Sequence, residues 1–147
     1  MAVATFMKHG IVNFMQEGTT CCITYSLHDL DPKRKHGFHI HENTFQNDDC
    51  NEAGSHYNPK GKEHGGLDSE QRHDGDLGNI ETDTYGESAG NMCAKLNLED
   101  IIGRTIVLHA EEDDLGKNDG ESKTTGNAGA RIDCAIIKRK GGLELKY

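Results

Sequence analysis

The sequence predicts an all-β fold, an eight-stranded Greek-key β-sandwich or flattened barrel with two long functional loops. Three observations carry this. Short runs rich in Val, Ile, Thr, Phe and Tyr recur along the chain, separated by glycine-containing turns. Apolar residues rarely recur at the three-four spacing that a helix needs. Two long polar stretches, residues 43–77 and 111–130, lack periodicity and interrupt the strand series. Structureless loops of that length are uncommon in a compact domain unless they carry function. The first of them holds His56, His64 and His73, which makes it functional.

The strands are expected at residues 2–8, 11–16, 20–27, 36–42, 78–83, 87–98, 104–110 and 131–138. Short strands without helices pack as two sheets or as one closed sheet. A chain of 147 residues suits one domain, here residues 1–147. Its hydrophobic fraction of 33% is thin for a packed core, so cross-links or metals are expected to add stability.

A formal charge of −9 argues against a general nucleic-acid footprint. No run of eighteen apolar residues exists, so no membrane-spanning helix is expected. Residues 1–8 lack the apolar stretch and preceding positive charges of a signal peptide, and a cytoplasmic location is expected. Five cysteines are an odd number, and in that compartment the default is five reduced thiols. Cys21 and Cys22 are neighbours in a strand, point to opposite faces, and are not expected to bridge each other.

The histidines define the chemistry. In His36-Gly37-Phe38-His39-Ile40-His41-Glu42, strand alternation turns Phe38 and Ile40 to the core and sets His39 and His41 together on the other face. Such a pair is half of a metal site. His56, His64 and His73, with Asp76 three residues later, lie in or at the end of a glycine-rich loop able to fold round an ion. Three imidazoles and a carboxylate are a donor set that zinc accepts in tetrahedral geometry. In Thr105-Ile106-Val107-Leu108-His109 the same alternation places His109 where it can join His39 and His41 from a neighbouring strand.

Six segments in order then resemble one family. They are the run from His36 to Glu42, the stretch ending His56-Tyr57-Asn58-Pro59, Lys62-Glu63-His64-Gly65-Gly66, the run from His73 to Asn79, the run from Gly103 to His109, and Gly126-Asn127-Ala128-Gly129-Ala130-Arg131. Together they resemble the copper–zinc superoxide dismutases of the intracellular type, over nearly the whole chain. The resemblance implies one copper held by His39, His41, His56 and His109, and one zinc held by His56, His64, His73 and Asp76. His56 then bridges the ions. It implies disproportionation of superoxide by alternate reduction and oxidation of copper, with His56 relaying a proton, and so a defence against oxidative stress. Asp113 matches the carboxylate that joins a ligand of each ion, and His36 a histidine that ties loop to strand. Arg131 matches the arginine that guides the anion, with Lys117 and Lys123 adding attraction and Glu111 opposing it. The resemblance also implies a Cys50–Cys134 disulfide, with Cys21, Cys22 and Cys93 free.

A homodimer is implied through Ile101-Ile102-Gly103, although Asn43, Thr44 and Arg139 make the surrounding positions polar. A copper chaperone is a possible partner. The rival reading is a non-enzymatic, dismutase-like copper-binding or metallochaperone domain, but no copper ligand and no guiding arginine is missing. A calcium loop at residues 114–121 fails, because Gly116 and Asp119 stand where a carboxylate or amide and the invariant glycine are required.

Overall fold

Period-two burial builds the first three strands, β1 (Ala2–Phe6), β2 (Gly10–Glu17) and β3 (Thr20–Leu27). Val12 and Phe14 of β2 and Cys21 and Ile23 of β3 face inward, while Ile11 and Met15 face solvent. The chain then crosses to β4 (Lys35–His41) and β5 (Asp76–Glu81), returns as β6 (Ser88–Ala94), and crosses again to β7 (Thr105–His109) and β8 (Arg131–Ile136). A two-residue strand, β9 (Lys138–Arg139), follows. This computed structural model describes residues 1–140, so of the carboxyl-terminal stretch 140–147, for which the sequence offers no account, all but Lys140 lies outside the described residues.

One sheet runs β6-β3-β2-β1-β9 and the other β5-β4-β7-β8, all neighbours antiparallel. The two crossings give the Greek-key order. At Ile137 the last strand changes sheet: its backbone bonds with Gly103 and Arg104, after which β9 pairs with β1. Phe14, Ile23, Phe38, Ile40, Ile80, Ile106 and Leu108 fill the space between the sheets, each at most 1% exposed. Burying each such side chain contributes roughly 1.5–3 kcal/mol.

The structure departs from the expected elements in four places. The last strand, expected unbroken at 131–138, divides at Ile137 into β8 and a ninth strand, β9, in the other sheet. The strand expected at 87–98 ends at Ala94, and a single helical turn, α1 (Leu98–Ile101), follows, with the Asn97 side chain accepting from the Glu99 amide as its cap. The first loop ends sooner than expected, because Asp76 and Leu77 already belong to β5. Both loops contain a 3-10 turn, Cys50–Ala53 and Gly120–Lys123.

Cys50 and Cys134 are bonded, fastening the first loop to β8 across 84 residues. In the chain-entropy description such a closure stabilises by about 4–5 kcal/mol. The expectation that Cys22 and Cys93 are free is corrected. They face each other in the β3–β6 register and form a second disulfide, with Cα atoms 4.0 Å apart. Strand pairing brought together two cysteines 71 residues apart, which no local pattern reveals. Cys21 alone is a free thiol, buried on the opposite face of β3.

Candidate metal centre

Strands β4 and β7 pair with His39 opposite Val107, so His39, His41 and His109 emerge on the face away from the main core. They are not exposed there. The first loop crosses that face, His56 forms a bridge with His41, and His39, His41 and His109 are 0%, 1% and 5% exposed. One group of donor atoms lying within 4.8 Å of one another comes from His39, His41, His56 and His109; a second comes from His39, His56, His64 and Asp76. His73 adjoins the second, its Nδ1 3.1 Å from His56 Nδ1 and 3.3 Å from Asp76 Oδ1.

The tautomers follow from the outer hydrogen bonds. His41 Nδ1 donates to the Gly54 carbonyl at 2.8 Å and His109 Nδ1 to the Gly129 carbonyl at 3.1 Å. Their Nε2 lone pairs then face each other at 3.3 Å, a spacing that a shared cation fits. His39 Nε2 donates to Asp113 Oδ2 at 2.5 Å, and its buried Nδ1 has no partner. Burial, followed by the neighbouring imidazoles, holds His39 and His41 well below the usual histidine range and lowers His109 to about 4. Neutral rings with unshared pairs are the form that binds metal.

On the other side, Asp76 Oδ1 lies 2.9 Å from His56 Nδ1, 2.9 Å from His64 Nδ1 and 3.3 Å from His73 Nδ1. Two donors on a tetrahedral zinc, each about 2.0–2.1 Å from the ion, are about 3.3 Å apart. His64 Nδ1 approaches Asp76 closely yet makes no aligned hydrogen bond, so its lone pair is directed elsewhere. Burial alone would raise Asp76, but the contacts from His56, His64 and His73 outweigh it and hold the carboxylate well below its usual range. Burial likewise pulls His64 down, and its bond to Asp113 together with the nearby Asp76 carboxylate reverses that, raising it to about 9. Asp76 Oδ2 accepts from the backbone amides of Gly65 and His73, which fixes its plane. The donor set, the orphaned Nδ1 atoms and the spacing all fit two adjacent cations.

Asp113 ties the halves together, accepting from His39 Nε2 and, at 2.7 Å, from His64 Nε2. Asn79 holds it in turn, donating to its carbonyl and accepting from its amide. His36 takes no part in the donor groups; its Nδ1 donates to the His109 carbonyl at 3.0 Å. Above the histidines opens a cavity of about 320 Å³ bordered by His41, His56, His109, Thr125 and Arg131. Arg131 donates from Nη1 to the Cys50 carbonyl and from Nη2 to the Gly54 carbonyl, so the disulfide-fastened turn positions its guanidinium.

Two charges stand elsewhere than expected. Glu111 stands behind Gly129, outside the cavity lining, and pairs with Arg34 at 2.7 Å, whereas the carboxylate in the lining is Glu121. Lys123 is turned inward, its Nζ donating to the Gly116 carbonyl. The carbonyl anchors at Gly54 and Gly129 and the part of Asn79 were also missed, because backbone acceptors leave no compositional signal.

The comparisons with known proteins agree with this geometry. The profile described as copper/zinc superoxide dismutase (SODC) matches residues 8–137. A superoxide dismutase (Cu-Zn) of Neurospora crassa is 47% identical over 135 residues, covering 87% of this chain and 88% of its own. One of Pleurocordyceps sinensis is 49% identical over 137 residues, with the same coverage. One of Paramecium bursaria Chlorella virus 1 is 47% identical over 133 residues, covering 87% of this chain and 71% of its own. With its fold, its paired histidine groups and a match over most of its length, the chain belongs to the copper/zinc superoxide dismutase family.

Proposed function

We propose that this chain disproportionates superoxide to oxygen and hydrogen peroxide, with His39, His41, His56 and His109 holding copper and His56, His64, His73 and Asp76 holding zinc. The single observation that carries the reading is His56, whose Nδ1 sits among the Asp76 and His73 donors, leaving Nε2 for the group of His39, His41 and His109. His39 offers Nδ1, because Asp113 occupies its Nε2; its donor lies near both groups, and it is assigned to copper because it shares the β4–β7 face with His41 and His109.

When bound, copper supplies a Cu(II)/Cu(I) couple that takes an electron from one superoxide and gives it to the next, beside a redox-inert zinc. The protein's part is positioning and proton transfer. Arg131 has five N–H donors, and its two backbone bonds leave others for an anion in the cavity. A planar guanidinium holds a small anion by charge-assisted hydrogen bonds. His56 Nε2 is the atom that takes up a proton and passes it to the departing peroxide. The buried Asp113 keeps the His39 and His64 rings in one tautomer throughout.

Replacing His56 with Ala separates the two halves, and the expected result is an altered copper spectrum with activity lost by orders of magnitude. An unchanged copper spectrum would overturn the bridge. The reading includes a homodimer. Ile101 belongs to the core of the chain itself, so the apolar surface left for a partner is that of the half-buried Ile102, while Arg139 is engaged by Glu99 at 2.9 and 2.5 Å and does not oppose an apolar contact. Sedimentation equilibrium at micromolar concentration is expected to show twice the chain mass of 16.2 kDa. The reading also includes copper delivery by a chaperone, for which reconstitution with and without one is the test. No described helix is long and apolar enough to cross a membrane, and the cytoplasm is the compartment we assign, with cell fractionation as the check.

A further inference from the structure

The two disulfides differ in what can reach them. In Cys50–Cys134, Cys134 is 3% exposed and the bond lies against buried Ala53 and Val107. In Cys22–Cys93 the bond lies on the outer face of the five-stranded sheet, with Cys22 half-buried and Cys93 exposed. Cys93 also borders a cavity of about 480 Å³ between the end of β6 and the first loop. That volume lies within the roughly 300–1,000 Å³ of small-molecule sites. Among the cations lining it, Lys60 pairs with Asp74 at 3.5 Å, and Arg72 donates to the Asp74 and Asp76 carbonyls. Lys62 and Lys95 make no ion pair among the described residues, and Lys95 follows Cys93 by only two positions. Asp68 and Glu70 are the lining carboxylates besides Asp74.

We propose that this cavity docks an anionic, low-molecular-weight thiol of the acidic-tripeptide kind, and that Cys93 is its site of thiol–disulfide exchange. Carboxylates of such a thiol meet Lys62 and Lys95, and its ammonium meets Asp68 and Glu70. Its thiolate sulfur attacks Cys93 Sγ in line with the Cys22–Cys93 bond. A new sulfur–sulfur bond forms at Cys93, and the old one breaks with its electron pair leaving on Cys22 Sγ, which takes a proton from water. A second thiolate attacks the small thiol's sulfur in this mixed disulfide, releasing Cys93 as thiolate and a symmetrical small disulfide. Two small thiols are oxidised and the protein disulfide is reduced by two electrons. Attack is directed to Cys93 because it is the exposed sulfur, and Lys95 beside it favours its thiolate in the reverse direction. The bond lies on the sheet face opposite the main core; the cavity's other wall is the first loop, where Arg72 and Asp74 flank His73, but the exchange itself uses no residue of either donor group.

The test uses the full, metal-loaded chain with reduced glutathione and with neutral 2-mercaptoethanol at matched thiolate concentration. Net charge of −9 disfavours an anion, so faster exchange with glutathione than with the neutral thiol has to come from local cations. We expect that preference, with the trapped adduct on Cys93 by peptide mass mapping and Cys50–Cys134 intact. In Lys62→Glu/Lys95→Glu both thiolates should be slowed, but glutathione thiolate, of net charge −2 against −1 for mercaptoethanol, should lose more, so that the preference falls roughly tenfold at low salt. Lys62→Gln, at an exposed loop position, should move it the same way by less. Equal or faster exchange with mercaptoethanol, an adduct on Cys22, earlier opening of Cys50–Cys134, or a preference unchanged in both variants would each overturn the proposal.

Discussion

Asp113 accepts from His39 on one side and His64 on the other while itself fully buried, so one carboxylate orients a ring in each half of the centre. Its removal leaves two buried N–H donors without partners, at about 1–3 kcal/mol each. Asp113→Ala is therefore expected to weaken both metals by roughly 10- to 100-fold, as loss of an outer partner does elsewhere. Competition with a chelator of known affinity, read separately for copper and zinc, checks this; an effect on one ion alone would contradict the shared role. Gly126 makes the same contact possible from the other side. A Cβ there would stand 2.1 Å from Asp113 Oδ1 and 2.4 Å from His64 Nε2, and φ is +72°, so the backbone can pass only without a side chain.

The second loop is held as an element by Asp114. Its carboxylate accepts from the Gly116 amide, the Ser122 hydroxyl, and the side-chain amides of Asn118 and Asn127. Its slight burial works against the charge, yet the bonds from Asn118, Ser122, Asn127 and Gly116 lower it from the usual 3.8 to about 2. The sign follows. A depressed carboxylate contributes stability that is present in full above pH 3.8 and is lost as pH falls through about 2. The stability of the metal-free protein should therefore exceed that of Asp114→Asn above pH 4, and the difference should vanish between pH 4 and pH 2. Urea midpoints across that range measure it, and a difference independent of pH would refute it.

For the molecule as a whole, a charge of −9 opposes capture of an anion, so attraction has to be local to the cavity. Arg131 is the cation at its wall and Glu121 the carboxylate at its mouth, whereas Glu111 is neutralised by Arg34. Arg131→Glu is accordingly expected to lose most of the rate and Arg131→Lys less. Glu121→Gln should raise the rate at low salt and Glu111→Gln should change it little. The Glu121 gain should shrink near 0.1 M salt, where the Debye length is about 10 Å. Pulse radiolysis across ionic strength separates these outcomes; equal gains from the two glutamates would mean that net charge, not position, governs capture.

The strand series, the two loops and the histidine groups were legible in the sequence because each rests on local pattern: period two places His39 beside His41, and glycine with polar residues marks the turns. Only the tertiary structure decided three things. It buried the His39–His41 face, which alternation alone would have left to solvent, by laying the first loop across it. It joined Cys22 to Cys93 by setting β3 beside β6, a pairing chosen by the Greek-key crossing and not by spacing along the chain. It turned Glu111 towards Arg34 and left Glu121 at the cavity. Periodicity fixes which face of its own element a side chain occupies, but what lies opposite that face depends on contacts between residues far apart in sequence, and those exist only once the chain has folded.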